Sequence, residues 1–159
     1  MSQITPKSAQ SGPSEKLRKV WGKGPINING AIIDGYVLDD GMPILTKTKM
    51  MSALDRKWRG TSRSDRPNFI GAKNLQPFVR QELDELLGGV EFYDGKKLVS
   101  GYDAKILPYI CRVYREADRA GVLTSNQKQT AQKCEILADA FSIVGITALI
   151  YEQLGFERI

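Results

Sequence analysis

Between Ile26 and Leu45 the sequence reads INING, AIIDGYVL, DDGM and PIL, short β-prone runs separated by Asn-Gly and Asp-Gly. Such dipeptides supply the positive backbone angles of tight hairpin turns, so the stretch reads as a meander of two or three antiparallel strands. TKTKMMSALDRKW follows directly, with Thr46 or Thr48 able to cap a short helix. Met50, Met51 and Leu54 fall on one side of that helix, which is therefore expected to pack on the meander. Further on, VEFYDGKKLVSGY reads as a second hairpin with Asp94-Gly95 at its turn.

The rest of the chain carries helical periodicity. NLQPFVRQELDELLGG is expected to be one helix, with Asn74 as its cap, Pro77 in the first turn, Phe78, Val79, Leu83, Leu86 and Leu87 as the apolar stripe, and Gly88 as the stop. DAKILPYICRVYREADRAG turns Ile106, Ile110, Val113, Tyr114 and Ala117 inward and Arg112, Arg115, Glu116 and Arg119 outward, and ends at Gly121. Pro108 either bends that helix or marks its start. SNQKQTAQKCEILADAFSIV, capped by Thr124 or Ser125, places Ala131, Cys134, Leu137, Ala138 and Phe141 inward. Gly145 separates it from a last helix, GITALIYEQLG, stopped by Gly155. The expected fold is α+β: an N-terminal antiparallel β meander with a short helix, a second β-hairpin and a helical C-terminal layer. Residues 1–24, rich in Ser, Gln, Pro and Lys, read as a flexible basic tail in which Trp21 is the first anchored residue. Residues 25–159 read as a single domain, divisible into a β-rich part, 25–100, and a helical part, 101–159.

Charge is distributed unevenly along this plan. The 159 residues carry a formal net charge of +5, and Arg56–Lys73 alone holds six Lys/Arg against Asp65. Residues 1–24 sum to +4, while 25–55 and 74–159 sum to −2 each, so two basic segments are mounted on a slightly acidic body. The stretch KWRGTSRSDRPNFIGAKN is also full of residues that favour irregular backbone. It supplies the candidate nucleic-acid-binding set: Arg56, Lys57, Trp58, Arg59, Arg63, Arg66 and Lys73. The cations suit phosphates, Trp58 or Phe69 suits stacking on a base or sugar, and Gly60 permits close backbone approach. The plain alternative is a solvated loop. KLRKVWGKG, Lys16 to Gly24, repeats the pattern around one Trp and reads either as a backbone-tracking arm or as a solubilising tail.

Other chemistries find little support. The chain has no His, which removes the commonest general base and metal ligand. Cys111 and Cys134, each within helical pattern, read as buried free thiols rather than a zinc set. Asp94 and Lys96 have the D-x-K spacing of metal-dependent nucleases, with Glu91 nearby, but Asp94 falls at a hairpin turn. GKGPINING lacks the lysine-serine ending of a phosphate loop, so its glycines are assigned to turns. No enzyme activity, cofactor or metal is expected. The apolar run Ile136–Tyr151 is interrupted by Asp139 and is shorter than the roughly 20 residues of a spanning helix, which assigns it to a core. The helix Gly145–Leu154 serves that core or an interface with a second copy or a host protein. With no apolar signal segment at the start, the reading is cytoplasmic and without a membrane partner.

Four segments, PILTKTKMMSALDR, NFIGAKNLQPFVRQEL, GYDAKILPYICRVYREADRAGVL and CEILADAFSIVGITALIYEQLGF, resemble in order and spacing the phage and prophage P-sixty-three-C domain family. The resemblance covers about Gly30 to Phe156 and is strongest in AKNLQPF, LPYICRVY and VGITALIYEQLGF. It implies a role in gene control or DNA handling inside a bacterial host, beside DNA-binding modules and without a described active site. The alternative it leaves is an antirepressor or inhibitor of a host factor that does not touch DNA. Family members continue past the position matching Phe156, which implies an apolar edge left for a further segment or a partner.

Overall fold

The computed structural model describes residues 17–54, 70–141 and 145–156. Five strands form a closed barrel in the order β1-β2-β3-β5-β4. They are β1 (Arg18–Ile28), β2 (Ala31–Leu38), β3 (Pro43–Thr46), β4 (Val90–Asp94) and β5 (Lys97–Asp103). The meander and the later hairpin are thus one structure. β3 pairs antiparallel with β5 from Ile44↔Asp103 to Thr46↔Gly101, and β1 closes the ring through a short parallel pairing with β4 at Arg18↔Phe92 and Lys19↔Tyr93. Closure pairs only the first two residues of β1 with β4; further along, the outer edge of β1 meets Gln153, whose Oε1 accepts from the Asn27 amide at 2.7 Å and whose Nε2 donates to the Asn27 carbonyl at 2.8 Å.

The turns follow the dipeptides. Register Ile28↔Ala31 leaves Asn29-Gly30 as a two-residue loop, and both residues take positive φ, 53° and 97°, as that tight hairpin geometry demands. Register Asp94↔Lys97 makes Gly95-Lys96 the second loop, one residue later than the sequence suggested, with Gly95 at φ 63°.

The expected tail is corrected at its end: Arg18–Gly24 belongs to β1, an eleven-residue strand whose N-terminal half alternates half-buried and exposed residues. A register shift between Val20 and Gly22 forms a bulge there. This half of the strand reads as tail because its inward positions are Arg18, Val20, Gly22 and Gly24, and only Val20 is strongly apolar.

Both faces of the barrel wall carry apolar side chains. One cluster draws on all five strands: Val20, Tyr36, Leu38, Ile44, Val90, Phe92 and Val99 fill the interior. The larger cluster lies outside the wall, where Ile26, Ile28, Ile33, Val37, Leu45 and Tyr102 meet the helices. These are α1 (Lys47–Ala53), α2 (Gln81–Leu86), α3 (Ile106–Arg119), α4 (Ser125–Phe141) and α5 (Ile146–Leu154). Met50, Met51 and Leu54 are buried, so α1 docks on the barrel as its periodicity requires. All five inward residues expected of α3 are buried, and Pro108 sits in its first turn and marks its start. α5 contributes Ile146 and Ile150 to the same core, which runs unbroken across residue 100.

The single helix expected over residues 74–89 is two pieces. A 3₁₀ helix, Lys73–Phe78, is followed by a break at Val79 and Arg80, both extended, and then by α2. Pro77 lacks the amide that would continue the hydrogen-bond ladder, which accounts for a short tight turn where an α-helix was expected.

Candidate nucleic-acid interface

The described residues on either side of residues 55–69 are Leu54 and Ile70. Both residues are 0% exposed and belong to the same hydrophobic cluster, so residues 55–69 are tied at each end to one core. On the outgoing side, the Leu54 amide donates to the carbonyls of Met50 and Met51. On the return, Gln76 Nε2 donates to the carbonyls of Ile70 and Ala72, at 2.8 Å each. Lys73 follows at once, exposed at the start of the 3₁₀ helix, with no ion pair among the described residues. Arg56, Lys57, Trp58, Arg59, Arg63 and Arg66 lie outside the described residues, as do Gly60 and Phe69.

Asn74 does not cap its own helix. Its amide donates to Gln127 Oε1 at 2.7 Å and to the Val122 carbonyl at 2.9 Å, and Gln127 Nε2 donates back to Asn74 Oδ1 at 3.2 Å. Gln127 is itself half of a capping box: Thr124 N–H donates to its Oε1 at 2.9 Å, and its own N–H donates to Thr124 Oγ1 at 3.3 Å. One buried amide therefore starts α4 and fixes the end of the basic stretch to it. The Thr-x-x-Gln spacing at Thr124–Gln127 was the available signal; nothing in the sequence pairs it with Asn74.

Among the described residues, 15 Lys/Arg face 14 Asp/Glu. Several cations have a carboxylate in contact, among them Arg18 with Asp40 at 3.0 Å, Lys23 with Asp94 at 2.7 Å, Arg80 with Glu116 at 2.9 Å and Arg115 with Glu135 at 2.7 Å. Such exposed pairs add little stability, but each removes a cation from a surplus. Asp94 holds the Lys23 ammonium above its ordinary pKa through the hydrogen bond and the charge. Burial pushes the Asp40 carboxyl up, but the Met42 amide and the Arg18 guanidinium outweigh it, so its pKa falls below the usual range. The near-neutral body leaves the excess cations in residues 1–16 and 55–69.

Asp94 is also the acid of the D-x-K pattern. Its carboxylate turns to Lys23, while Glu91, three residues back on β4, takes the opposite face of the strand. No group of three potential metal-ligating side chains occurs among the described residues. Cys111 and Cys134 are buried free thiols, and the hydrogen bond between them together with burial pushes the Cys134 thiol pKa up.

Trp21 is 50% exposed on β1 and meets Phe156 edge-on, ring centroids 4.7 Å apart, so it anchors the chain beside the end of α5. No single helix among the described residues is long and apolar enough to cross a membrane. Comparison with protein families, curated proteins and solved structures returned no match to this chain.

Proposed function

We propose that this protein is a non-enzymatic nucleic-acid-binding accessory of the phage regulatory kind, acting in the cytoplasm of a bacterial host and contacting phosphates through Arg56–Lys73. The observation that supports this reading is the double anchorage of the stretch. Leu54 and Ile70 sit in one core, and Asn74 locks the return to α4, so a cation-rich segment is mounted on a body that is nearly neutral. Clustered Lys and Arg side chains suit the phosphates of a polyanion. The resemblance to P-sixty-three-C domains supplies the regulatory context and favours DNA.

Binding through phosphates releases counterions, so affinity should fall steeply as salt rises. The test is fluorescence anisotropy with duplex DNA, single-stranded DNA and RNA across a salt series, on the natural chain and on Arg59→Glu/Arg63→Glu. The expected result is salt-sensitive binding that the double variant loses while its melting temperature holds. Equal binding by the two proteins would remove the segment from the function.

A second reading, an antirepressor or host-factor inhibitor without DNA contact, is favoured by half-exposed Trp21 beside Phe156 at the end of α5. It requires that nucleic acid bind to neither protein at low salt and that a host protein remain attached after nuclease treatment. Loss of that attachment in Trp21→Ala would assign it to this patch.

A further inference from the structure

The hairpin tip at Asn29-Gly30, the last turn of α1 and the middle of α4 enclose a groove of about 490 Å³. Its walls are aliphatic, made by Ala31 and Ile32 of β2, Ala53 of α1 and Ile136 and Leu137 of α4. Leu137 is buried, and Ala31 and Ala53 pack against the same cluster, so the floor is part of the main core. Ile32 and Ile136 lie open to water, 54% and 47% exposed, although both line the groove. Apolar surface of that kind gains from any ligand that covers it. Asn29 Nδ2 donates to the Ile136 carbonyl at 2.8 Å and joins the hairpin tip to α4, while the Gly30 amide donates to Asn27 Oδ1 at 2.8 Å and fixes the loop. Walls tied in advance lower the ordering cost of binding.

One charge lines the groove, Lys133. It stands three and four residues before Ile136 and Leu137, the spacing that puts side chains on one face of a helix. Lys133 is exposed and has no ion pair among the described residues. Glu135, the nearest acid in the chain, is engaged by Arg115 at 2.7 Å, and no carboxylate lines the groove. Ser52 adds a hydroxyl. An ammonium beside an aliphatic slot selects a ligand with an anionic head and a saturated tail. A single ammonium balances the single charge of a carboxylate, whereas a phosphate monoester brings about 1.5–2 charges. The lining holds no aromatic ring on which a base could stack, which sets the groove apart from the nucleic-acid chemistry of the basic stretch.

We infer that this groove is a binding site for a small aliphatic monocarboxylic acid, with Lys133 neutralising the carboxylate and Ile32, Ile136 and Leu137 covering the chain. Its volume falls within the range of small-ligand pockets, roughly 300–1,000 Å³. None of its residues belongs to Arg56–Lys73, so the site stands independently of the proposed nucleic-acid function.

Isothermal titration of the full chain with octanoate, acetate and octan-1-ol is compared with the same titrations of Lys133→Gln and of Ile136→Ser. Both substituted side chains are exposed, so the fold should survive, as melting temperature will verify. The natural chain is expected to take up one octanoate, and to bind acetate, which lacks the tail, at least about tenfold more weakly. Lys133→Gln should weaken octanoate about tenfold and leave octan-1-ol unchanged, because only the acid uses the ammonium. Ile136→Ser should weaken both, since both use the aliphatic wall. Arg59→Glu/Arg63→Glu should retain the octanoate affinity. Absence of octanoate binding to the natural chain at millimolar concentration would assign the exposed Ile32 and Ile136 to a protein contact and overturn the inference. Octanoate binding that neither Lys133→Gln nor Ile136→Ser weakens would overturn it equally.

Discussion

The stretches Lys16–Gly24 and Arg56–Lys73 look alike in sequence: both are dense in Lys and Arg, both contain a Trp, and both carry Gly. Their fates differ. From Arg18 onward the first is strand β1, with Arg18 against Asp40, Lys23 against Asp94, and Trp21 packed edge-on to Phe156. The second departs from one buried residue, Leu54, returns to another, Ile70, and shows at its described end an exposed Lys73. The lesson concerns supply of partners. β1 has neighbouring strands on both sides whose ends deliver carboxylates, so its cations become part of the body's charge balance. Basic composition alone does not reveal a barrel strand.

The largest effect expected from this contrast is on binding. Arg59→Glu/Arg63→Glu should weaken nucleic-acid affinity by about 100-fold or more in low salt, given the salt dependence of phosphate contacts. Urea unfolding of the same variant should be unchanged. The converse belongs to the barrel. Gly101→Ala would place a methyl 2.6 Å from Ile44 Cγ2 and 2.9 Å from the Leu45 carbonyl oxygen, where backbone must move. Overpacking of that kind costs about 1–3 kcal/mol, measurable as a lower urea midpoint with affinity per folded molecule intact. A variant that lost both properties together would dissolve the distinction between segment and body.

Asn74→Ala tests the joint between them. It strands the nearly buried Gln127 amide, a loss of about 1–2 kcal/mol, and it frees the return of the basic stretch from α4. Stability and affinity should both fall, the affinity by less than in the charge-reversed variant. Unchanged affinity would show that the lock serves α4 alone. The smallest effect belongs to Lys23→Ala, whose ammonium already serves Asp94. Nucleic-acid affinity should stay within about twofold, as exposed paired charges contribute little. A loss matching that of the Arg59/Arg63 variant would place β1 in the interface.

Much of the architecture was legible residue by residue. Asn29-Gly30 named its hairpin because only residues tolerant of positive φ fit both loop positions. The inward face of α3, Ile106 through Ala117, followed from helical spacing. Local rules failed where a neighbour intervened. Pro77 turned an expected α-helix into a 3₁₀ piece, and Asn74 spent its amide on Gln127 rather than on a cap. Of the seven candidate site residues, only Lys73 is described, and it is exposed. The shared cleft of Lys47, Lys49 and Lys97 went unread because they come from α1 and from the second hairpin, far apart in the chain.

By itself the sequence determined the strands except the first half of β1, most of the helices, the Asn29-Gly30 loop and the stretch on which positive charge accumulates. Each of these is set by spacing and backbone preference within a few residues. Only the tertiary structure decided that β1 joins β4 to close a barrel, that Arg18 and Lys23 are neutralised, and that Lys47, Lys49 and Lys97 share one cleft. Those outcomes depend on which distant segments are brought within a few ångströms of one another, and that distance sets the strength of both packing and charge interactions.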